Sequence, residues 1–567
     1  MLSGRYLADY RAAWRSTRTI RILRHCSMDR GKLGCHHGEF IMSSTLCTSS
    51  RNGSNRQRQD TLQWRKGGAA NAGGEGNILR ICVVGSGPAG FYVTKYLLKE
   101  AELGCEIAVD VLDMLPTPFG LVRFGVAPDH PEVKAVQADF EQVASDPRLH
   151  FFGNVRLGQD VSAAQLSSLY DVVVLAYGAA GDRALRVPGA DLKGVFSARA
   201  FVNWYNGHPD FAHLSGEFHA ALASSDTVVV VGVGNVALDC ARILVKGADA
   251  LRSTDICEHT MDVLESTGSK LRRVLVLGRR GHVQASFTIK ELRELTKLDG
   301  VTCVVKYDEL EMGRTPASLD ILKATRAKTR IDALLTKVAE GSKIVSAGTK
   351  SVELRFLLGP LEVIPSNGSS DRVGSIRVVR NRLELNPGTG SERAVAVSEE
   401  TEVVPCGMVL GSIGYLCLPV EGVPYDDLNS VIKNEGGRVA GTVGMYCSGW
   451  ARRGPSGIIG TNITDARSVV AAIVQDMSEG RLVPNDNAEG RQGLIRMLAS
   501  EQTSEGASRT EGGMDSIPKP VRIVNWDGYK GIDRHELASG GSKGKPREKL
   551  VDIGQMLEIA DKENKGS

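Results

Sequence analysis

The sequence predicts an α/β fold built from two Rossmann-like dinucleotide-binding modules, one inserted into the other. Two glycine-rich turns point to it: Gly85-Ser86-Gly87-Pro88-Ala89-Gly90 and Gly232-Val233-Gly234-Asn235-Val236-Ala237. Each comes after an apolar run and opens a helix-patterned stretch, as a dinucleotide turn must. The alternation of short apolar runs with helical segments around them argues for parallel sheets.

The elements run in order. Leu79-Arg80-Ile81-Cys82-Val83-Val84 reads as a buried strand, Phe91 to Glu100 as a helix and Ile107 to Leu112 as a second strand. Phe140 to Ser145 lies in a helical stretch, and Asp171 to Ala176 is a third apolar strand. A second strand–turn–helix begins at Thr227-Val228-Val229-Val230-Val231, with Arg273 to Leu277 as its partner strand. The segment from about Lys246 to Lys270 is expected to loop out between them. Lys337 to Ala396 holds short β-like runs and Gly/Ser-rich turns, a helix is expected from Thr461 to about Gln475, and Thr503 to Met514 reads as a linker.

Residues 1–77 differ from the rest. Arg5, Arg11, Arg15, Arg18, Arg21 and Arg24 recur against few acids, and Ser, Thr, Asn and Gly dominate from Ser43 to Gly76. An Arg-rich, acid-poor, Ser-rich leader predicts an organellar transit peptide, mitochondrial rather than plastid; a basic tail that stays attached is the alternative. The chain has 567 residues, enough for roughly three or four domains at about 150 residues each. Lys plus Arg total 69 and Asp plus Glu total 66, for a formal charge of +3, which gives no support to a nucleic-acid-binding role. No apolar run approaches the ~18 residues of a membrane-spanning helix. None of the eleven cysteines makes a C-x-x-C pair, so a redox dithiol and a ferredoxin-type ligand run are both missing from the sequence. No metal site is read, and Cys35-His36-His37 is taken as incidental.

The two turns differ in the strand ends that come after them. Gly85 permits the tight turn, Gly87 the approach of a pyrophosphate and Gly90 close packing of the helix. The next strand ends at Asp113, whose carboxylate can accept hydrogen bonds from a ribose. After the second turn the strand ends in Gly278-Arg279-Arg280, a guanidinium pair suited to a ribose phosphate. Acid at one site and arginines at the other predict FAD and NADP(H), with hydride passing from nicotinamide to flavin.

Further motifs make a resemblance specific. Pro116 to Pro131, Gly232 to Asp239, Phe287 to Glu294, Tyr446-Cys447-Ser448-Gly449-Trp450 and Gly544 to Asp552 together resemble the NADPH:adrenodoxin oxidoreductase family, from about Leu79 to the C-terminus. The resemblance implies a FAD-binding domain at 78–181 and 416–567, with an NADP-binding domain at 182–415 between. It implies flavin contacts at Ala89, Asp113, Leu121, Leu157, Trp450, Gly457, Ile458 and Ile459. It implies NADP contacts at Gly232, Val233, Gly234, Asn235, Arg279, Arg280, Glu291 and Gly457. His130 and Glu291 are the implied titratable pair near the ring contact, either handling protons or positioning neighbours. The sequence departs from the family at Val233, where Gln is common, at His282, where Pro is common, and at Asp113, which is Glu in the animal enzymes.

The partner implied is a small, acidic, adrenodoxin-like [2Fe-2S] ferredoxin that takes electrons singly. A basic run at Lys323, Arg326, Lys328, Arg330 and Lys337 is its expected docking face, with Arg279 and Arg293 adding to it, and a solvated helix face is the alternative. The family implies a monomer in the mitochondrial matrix, with inner-membrane association left open. Three other readings stand beside this one. An electron-input module of a larger enzyme lacks the cysteine clusters it needs, and a disulfide reductase lacks its C-x-x-C. A non-catalytic NADPH sensor would keep both glycine turns.

Overall fold

Two parallel sheets carry the two glycine turns. In the computed structural model, residues 78–100, 103–341, 349–485, 487–500 and 520–564 are described. The chain divides into two compact units, Met1–Gly73 and Gly74–Ser567, and every described residue lies in the second. The leader at 1–77, with Cys35-His36-His37, and the linker at Thr503 to Met514 lie outside the described residues.

The first sheet has seven strands in the order Asn434–Glu435, Arg438–Val439, Met445–Cys447, Val172–Leu175, Ile78–Val84, Glu106–Leu112, Leu149–Phe152. The last five named pair in parallel, and the two short edge strands are antiparallel. Ile78–Val84 is apolar because helices bury both its faces. The second sheet is entirely parallel: Val195–Ser197, Met408–Gly411, Thr227–Val231, Arg273–Gly278, Lys350–Phe356, Val301–Val305. Along the chain it falls between Val172–Leu175 and Asn434–Glu435 of the first sheet. The outgoing and returning chains pair with each other, Gly181–Asp182 antiparallel to Tyr415–Leu416.

One stretch resolves differently from its sequence reading, and another takes a definite place. Lys246 to Lys270 does not loop out. It folds into helices Ala248–Leu251 and Glu258–Thr267, and Leu251, Ile256, Met261 and Leu264 are buried in the core of the second sheet. Thr260, Val263, Leu264 and Thr267 recur at helical spacing and give this helix one buried face. The β-like runs after the helix Arg326–Glu340 become Lys350–Phe356 of the second sheet and a separate antiparallel sheet, Leu358–Ser366, Ser369–Leu385 and Glu392–Pro405. Val363, Ile376, Val378 and Val404 close over Val229, Val231, Leu275 and Leu277, so this sheet covers one face of the second sheet.

Helices Trp526–Ser542 and Ile553–Asn564 return Tyr529, Ile532, Met556 and Ala560 to the first sheet's core. Between them, Lys549 Nζ lies 2.9 Å from Asp255 Oδ2, and Lys134 Nζ lies 2.6 Å from Asp255 Oδ1. This buried cluster ties the C-terminal segment to the inserted half. No helix among the described residues is long and apolar enough to cross a membrane.

Candidate functional site

Both glycine turns sit where strand order reverses. In an open parallel sheet a crevice forms there, beyond the carboxyl ends of the strands. Gly85 ends the Ile78–Val84 strand at φ +107°, and a Cβ on it would lie 2.6 Å from the Ala176 carbonyl oxygen beside it. Only glycine fits that conformation and that approach. The helix Pro88–Lys99 then starts with no side-chain cap on its first N–H groups. Those groups and the helix dipole face the crevice and favour an anion. A Cβ on Gly87 would meet nothing nearer than Gly120 Cα at 4.0 Å, so the cradle is open above it, whereas one on Gly90 would strike Gly85 O at 1.9 Å. This cradle fits a dinucleotide pyrophosphate.

The residues expected beside this turn are brought to it from four parts of the chain. Asp113 Oδ2 accepts from Ser86 N at 2.9 Å and Ser86 Oγ at 2.5 Å, and Oδ1 accepts from Leu115 N at 3.0 Å. Burial pushes the Asp113 carboxyl up against these bonds. Oδ1 keeps capacity for a further donor such as a hydroxyl. Phe119 N donates to Ser86 O, which seats Leu121 by the turn, and Val155 N donates to Asp113 O, which brings Leu157 to the same end. Gly449 packs against Ala89, since a Cβ on it would fall 2.5 Å from Ala89 Cβ. Trp450 comes next, its Nε1 donating to Ser456 O at 3.2 Å and its ring 5.6 Å from Tyr415. The turn at Gly457, φ +84°, leads into the helix Thr461–Ser478; Ile458 is exposed and Ile459 half-buried. Arg453, not singled out from sequence, donates to Asn462 Oδ1 at 3.0 Å and has a buried Nε without a partner.

The second turn repeats the construction. Gly232 at φ +132° would place a Cβ 2.0 Å from Ser412 O, the residue after the neighbouring strand Met408–Gly411. The helix Asn235–Lys246 again has no side-chain cap. The Asn235 side chain instead accepts from Thr288 N at 2.8 Å, and Thr288 caps the helix Ile289–Leu295 that carries Glu291. Val233 sits at the centre: Ser286 N donates to its carbonyl at 2.9 Å, and its side chain fills the space a Gly278 Cβ would take. Arg279 is exposed and Arg280 half-buried, and neither has an ion-pair partner among the described residues. Two uncompensated guanidiniums beside an uncapped helix fit a phosphate-bearing dinucleotide.

His130 and Glu291 meet through residues the sequence reading did not select. His130 Nε2 lies 2.9 Å from Glu294 Oε2, not from Glu291. Arg242, fully buried, is the hub: it bonds Asp129 through Nε at 2.9 Å and Nη2 at 3.0 Å, and Asp239 at 2.6 Å. Its guanidinium also lies 3.6 Å from Glu291 Oε2 and 3.7 Å from Glu294 Oε1. Lys246 Nζ adds a second cation on Asp129 at 2.9 Å. Burial opposes the Asp129 charge, but Arg242 and Lys246 outweigh it and hold its carboxyl well below the usual range. Glu291 goes the other way: burial, then the nearby Asp239, raise its carboxyl above the usual value. His130, Glu291 and Glu294 offer ligand atoms within 4.8 Å of one another. Arg242 already supplies positive charge to that group. Glu294 was legible at i+3 from Glu291, on the same helical face; Arg242 had no signal beyond its place in the helix Asn235–Lys246.

The comparisons with known proteins agree with this geometry. A family model described as pyridine nucleotide-disulphide oxidoreductase matches residues 79–346. NADPH:adrenodoxin oxidoreductase, mitochondrial, of Salvelinus fontinalis is 42% identical, over 85% of this chain and 91% of that protein. The human protein of the same name is 40% identical, over 85% and 91%. The solved structure of Mycobacterium tuberculosis FprA in complex with NADPH superposes with a TM-score of 0.74 at 37% identity, covering 85% of this chain and 99% of that one. With FAD and NADP(H) as its cofactors and a cradle for each, the chain belongs to the NADPH:adrenodoxin oxidoreductase family of FAD-dependent oxidoreductases.

Proposed function

We propose that the chain passes electrons from NADPH through FAD, one at a time, to a small mitochondrial [2Fe-2S] ferredoxin of the adrenodoxin kind. The observation that carries this reading is the junction at Asp129-His130. There a loop of the first module is bonded to Arg242 and Glu294 of the second, which holds the two cradles in one fixed relation. Bound FAD would supply the conversion of a hydride pair into single electrons. The chain's own residues align the two cofactors, which is what hydride transfer demands of a protein.

In this reading 78–181 and 416–567 form the FAD domain and 182–415 the NADP domain. Gly85, Gly87, Ala89, Gly90, Asp113, Leu121, Leu157, Trp450, Gly457, Ile458 and Ile459 line the flavin cofactor. Gly232, Val233, Gly234, Asn235, Arg279, Arg280 and Glu291 line NADP, and His130 and Glu291 position groups at the ring contact. The ferredoxin docks on Arg326, Arg330 and Lys337, exposed on one face of the helix Arg326–Glu340, with Lys323, Arg293 and Arg279 around them. Lys328 does not belong to that face. It lies roughly 200° round the helix from Arg326, and its Nζ donates inward to the Ala285 carbonyl. The leader would address the protein to the mitochondrial matrix, where it would work as a monomer.

Reduction of a mitochondrial-type ferredoxin by NADPH, monitored at low and high salt, tests the proposal. Fast reduction that weakens with salt supports it. Flavin bleaching without ferredoxin reduction moves the search to another acceptor, and no bleaching with FAD bound favours a sensor.

A further inference from the structure

We infer that Lys328 is a specificity residue for the 2′-phosphate of NADP(H), completing a cation trio with Arg279 and Arg280. This rests on the reading of Arg279 and Arg280 as the ribose-phosphate site. Three segments converge on Val233 of the second glycine turn. A Cβ on Gly278 would lie 3.0 Å from Val233 Cγ1, and Gly278 leads into Arg279 and Arg280. Ser286 bonds the Val233 carbonyl, and its Oγ lies where a Gly234 Cβ would come within 3.1 Å. Lys328 reaches the same place from the helix Arg326–Glu340 by donating to the carbonyl of Ala285, next to Ser286.

The charge balance supports a ligand at this point. No carboxylate pairs with Arg279, Arg280 or Lys328 among the described residues. Two acids that bond neighbouring residues are engaged elsewhere: Asp332 with His282 at 2.8 Å and Arg314 at 2.9 Å, and Glu392 with Gln284 at 2.8 Å. Burial, and then the charge of Arg280, push the Lys328 ammonium below its usual pKa. Gathering cations without a counter-ion is unfavourable until an anion arrives, and a phosphate dianion offers oxygens to all three. The ammonium has three donors and Ala285 O occupies one. NAD(H), with a 2′-hydroxyl in that position, would leave the trio uncompensated, so the arrangement discriminates by charge.

The test uses the FAD-loaded full chain and two probes, 2′,5′-ADP and 5′-AMP, which differ by the 2′-phosphate. Their affinities are measured by competition against NADPH in flavin bleaching. Lys328→Met keeps the packed stem and removes the charge. We expect 2′,5′-ADP to weaken about tenfold with 5′-AMP unchanged, as for loss of one charged hydrogen bond in a half-buried site. The NADPH-over-NADH preference should fall by the same factor, and Lys328→Arg should restore most of it. Equal weakening of both probes, or of neither, overturns the proposal, as does a change confined to ferredoxin KM. Arg280→Met is run alongside. If it too fails to separate the probes, the assignment of the phosphate site itself is wrong; if it separates them and Lys328→Met does not, only the role of Lys328 fails.

Discussion

Arg242 holds four carboxylates in place with one guanidinium, aided by Lys246 on the Asp129 side. Removing a buried partner from such a network leaves charge without compensation, a cost of about 3–5 kcal/mol. Arg242→Met should therefore lower stability by about that amount in urea unfolding, and Arg242→Lys by less, because one cation remains. A change below about 1 kcal/mol would show that the network relaxes freely. Glu291 carries the pH prediction. Its carboxyl titrates above the usual range because of burial and Asp239. The folded form holds its proton to higher pH than the unfolded chain does. Stability from this group is therefore complete below the unfolded pKa, and is lost as pH rises through the folded one. The pH profile of NADPH-driven flavin bleaching should show an inflection above the ordinary glutamate value of about 4.3, and Glu291→Gln should lack it. If Glu291 only positions its neighbours, the loss in bleaching rate should stay near tenfold, short of the ~100-fold or more expected of a proton donor.

At the scale of elements, two strand–turn–helix units do the same work by the same means. Each first glycine lies against the backbone that leaves the neighbouring strand, and each helix is left uncapped toward the crevice. Gly85→Ala should press a methyl against Ala176 O at a φ that disfavours it, and so release FAD. Apoprotein titrated with FAD should bind at least about tenfold more weakly, the effect of little more than 1 kcal/mol of the strain such a φ stores. FAD affinity equal to wild type would show that the turn shifts without loss. The helix Arg326–Glu340 divides its basic residues by angle: Arg326, Arg330 and Lys337 face outward and Lys328 inward. As a run of charge along the chain they look alike. At about 100° per residue they separate.

At the scale of the molecule, the junctions between the inserted half and the surrounding half include three described above. These are the paired crossing strands, the Asp129–Arg242 hub and the Lys134–Asp255–Lys549 cluster. The outward basic face stands apart from all three. Reversing Arg326, Arg330 and Lys337 to Glu should raise ferredoxin KM by ~10–100-fold at low salt and remove its salt dependence, while flavin bleaching by NADPH stays unchanged. An unchanged KM would place docking elsewhere on the surface.

The sequence by itself determined the elements whose physics is local. The glycine turns were legible because only glycine adopts the φ of Gly85 and Gly232, and the parallel strands because burial on both faces demands unbroken apolar runs. The acid after one turn and the arginines after the other carried the expectation of FAD and NADP(H), which are the cofactors of the family. The helix at Glu258–Thr267 was legible too, in a helical period that a reading of Lys246 to Lys270 as a loop passed over. Tertiary structure alone decided what depends on residues far apart in the chain. It placed Glu294, not Glu291, on His130, and it made Arg242 a hub by bringing Asp129 across more than a hundred residues to the second helix. It also turned Lys328 inward, because that direction is set by which face of the helix packs. Periodicity defines such a face; only the neighbouring elements say what lies against it.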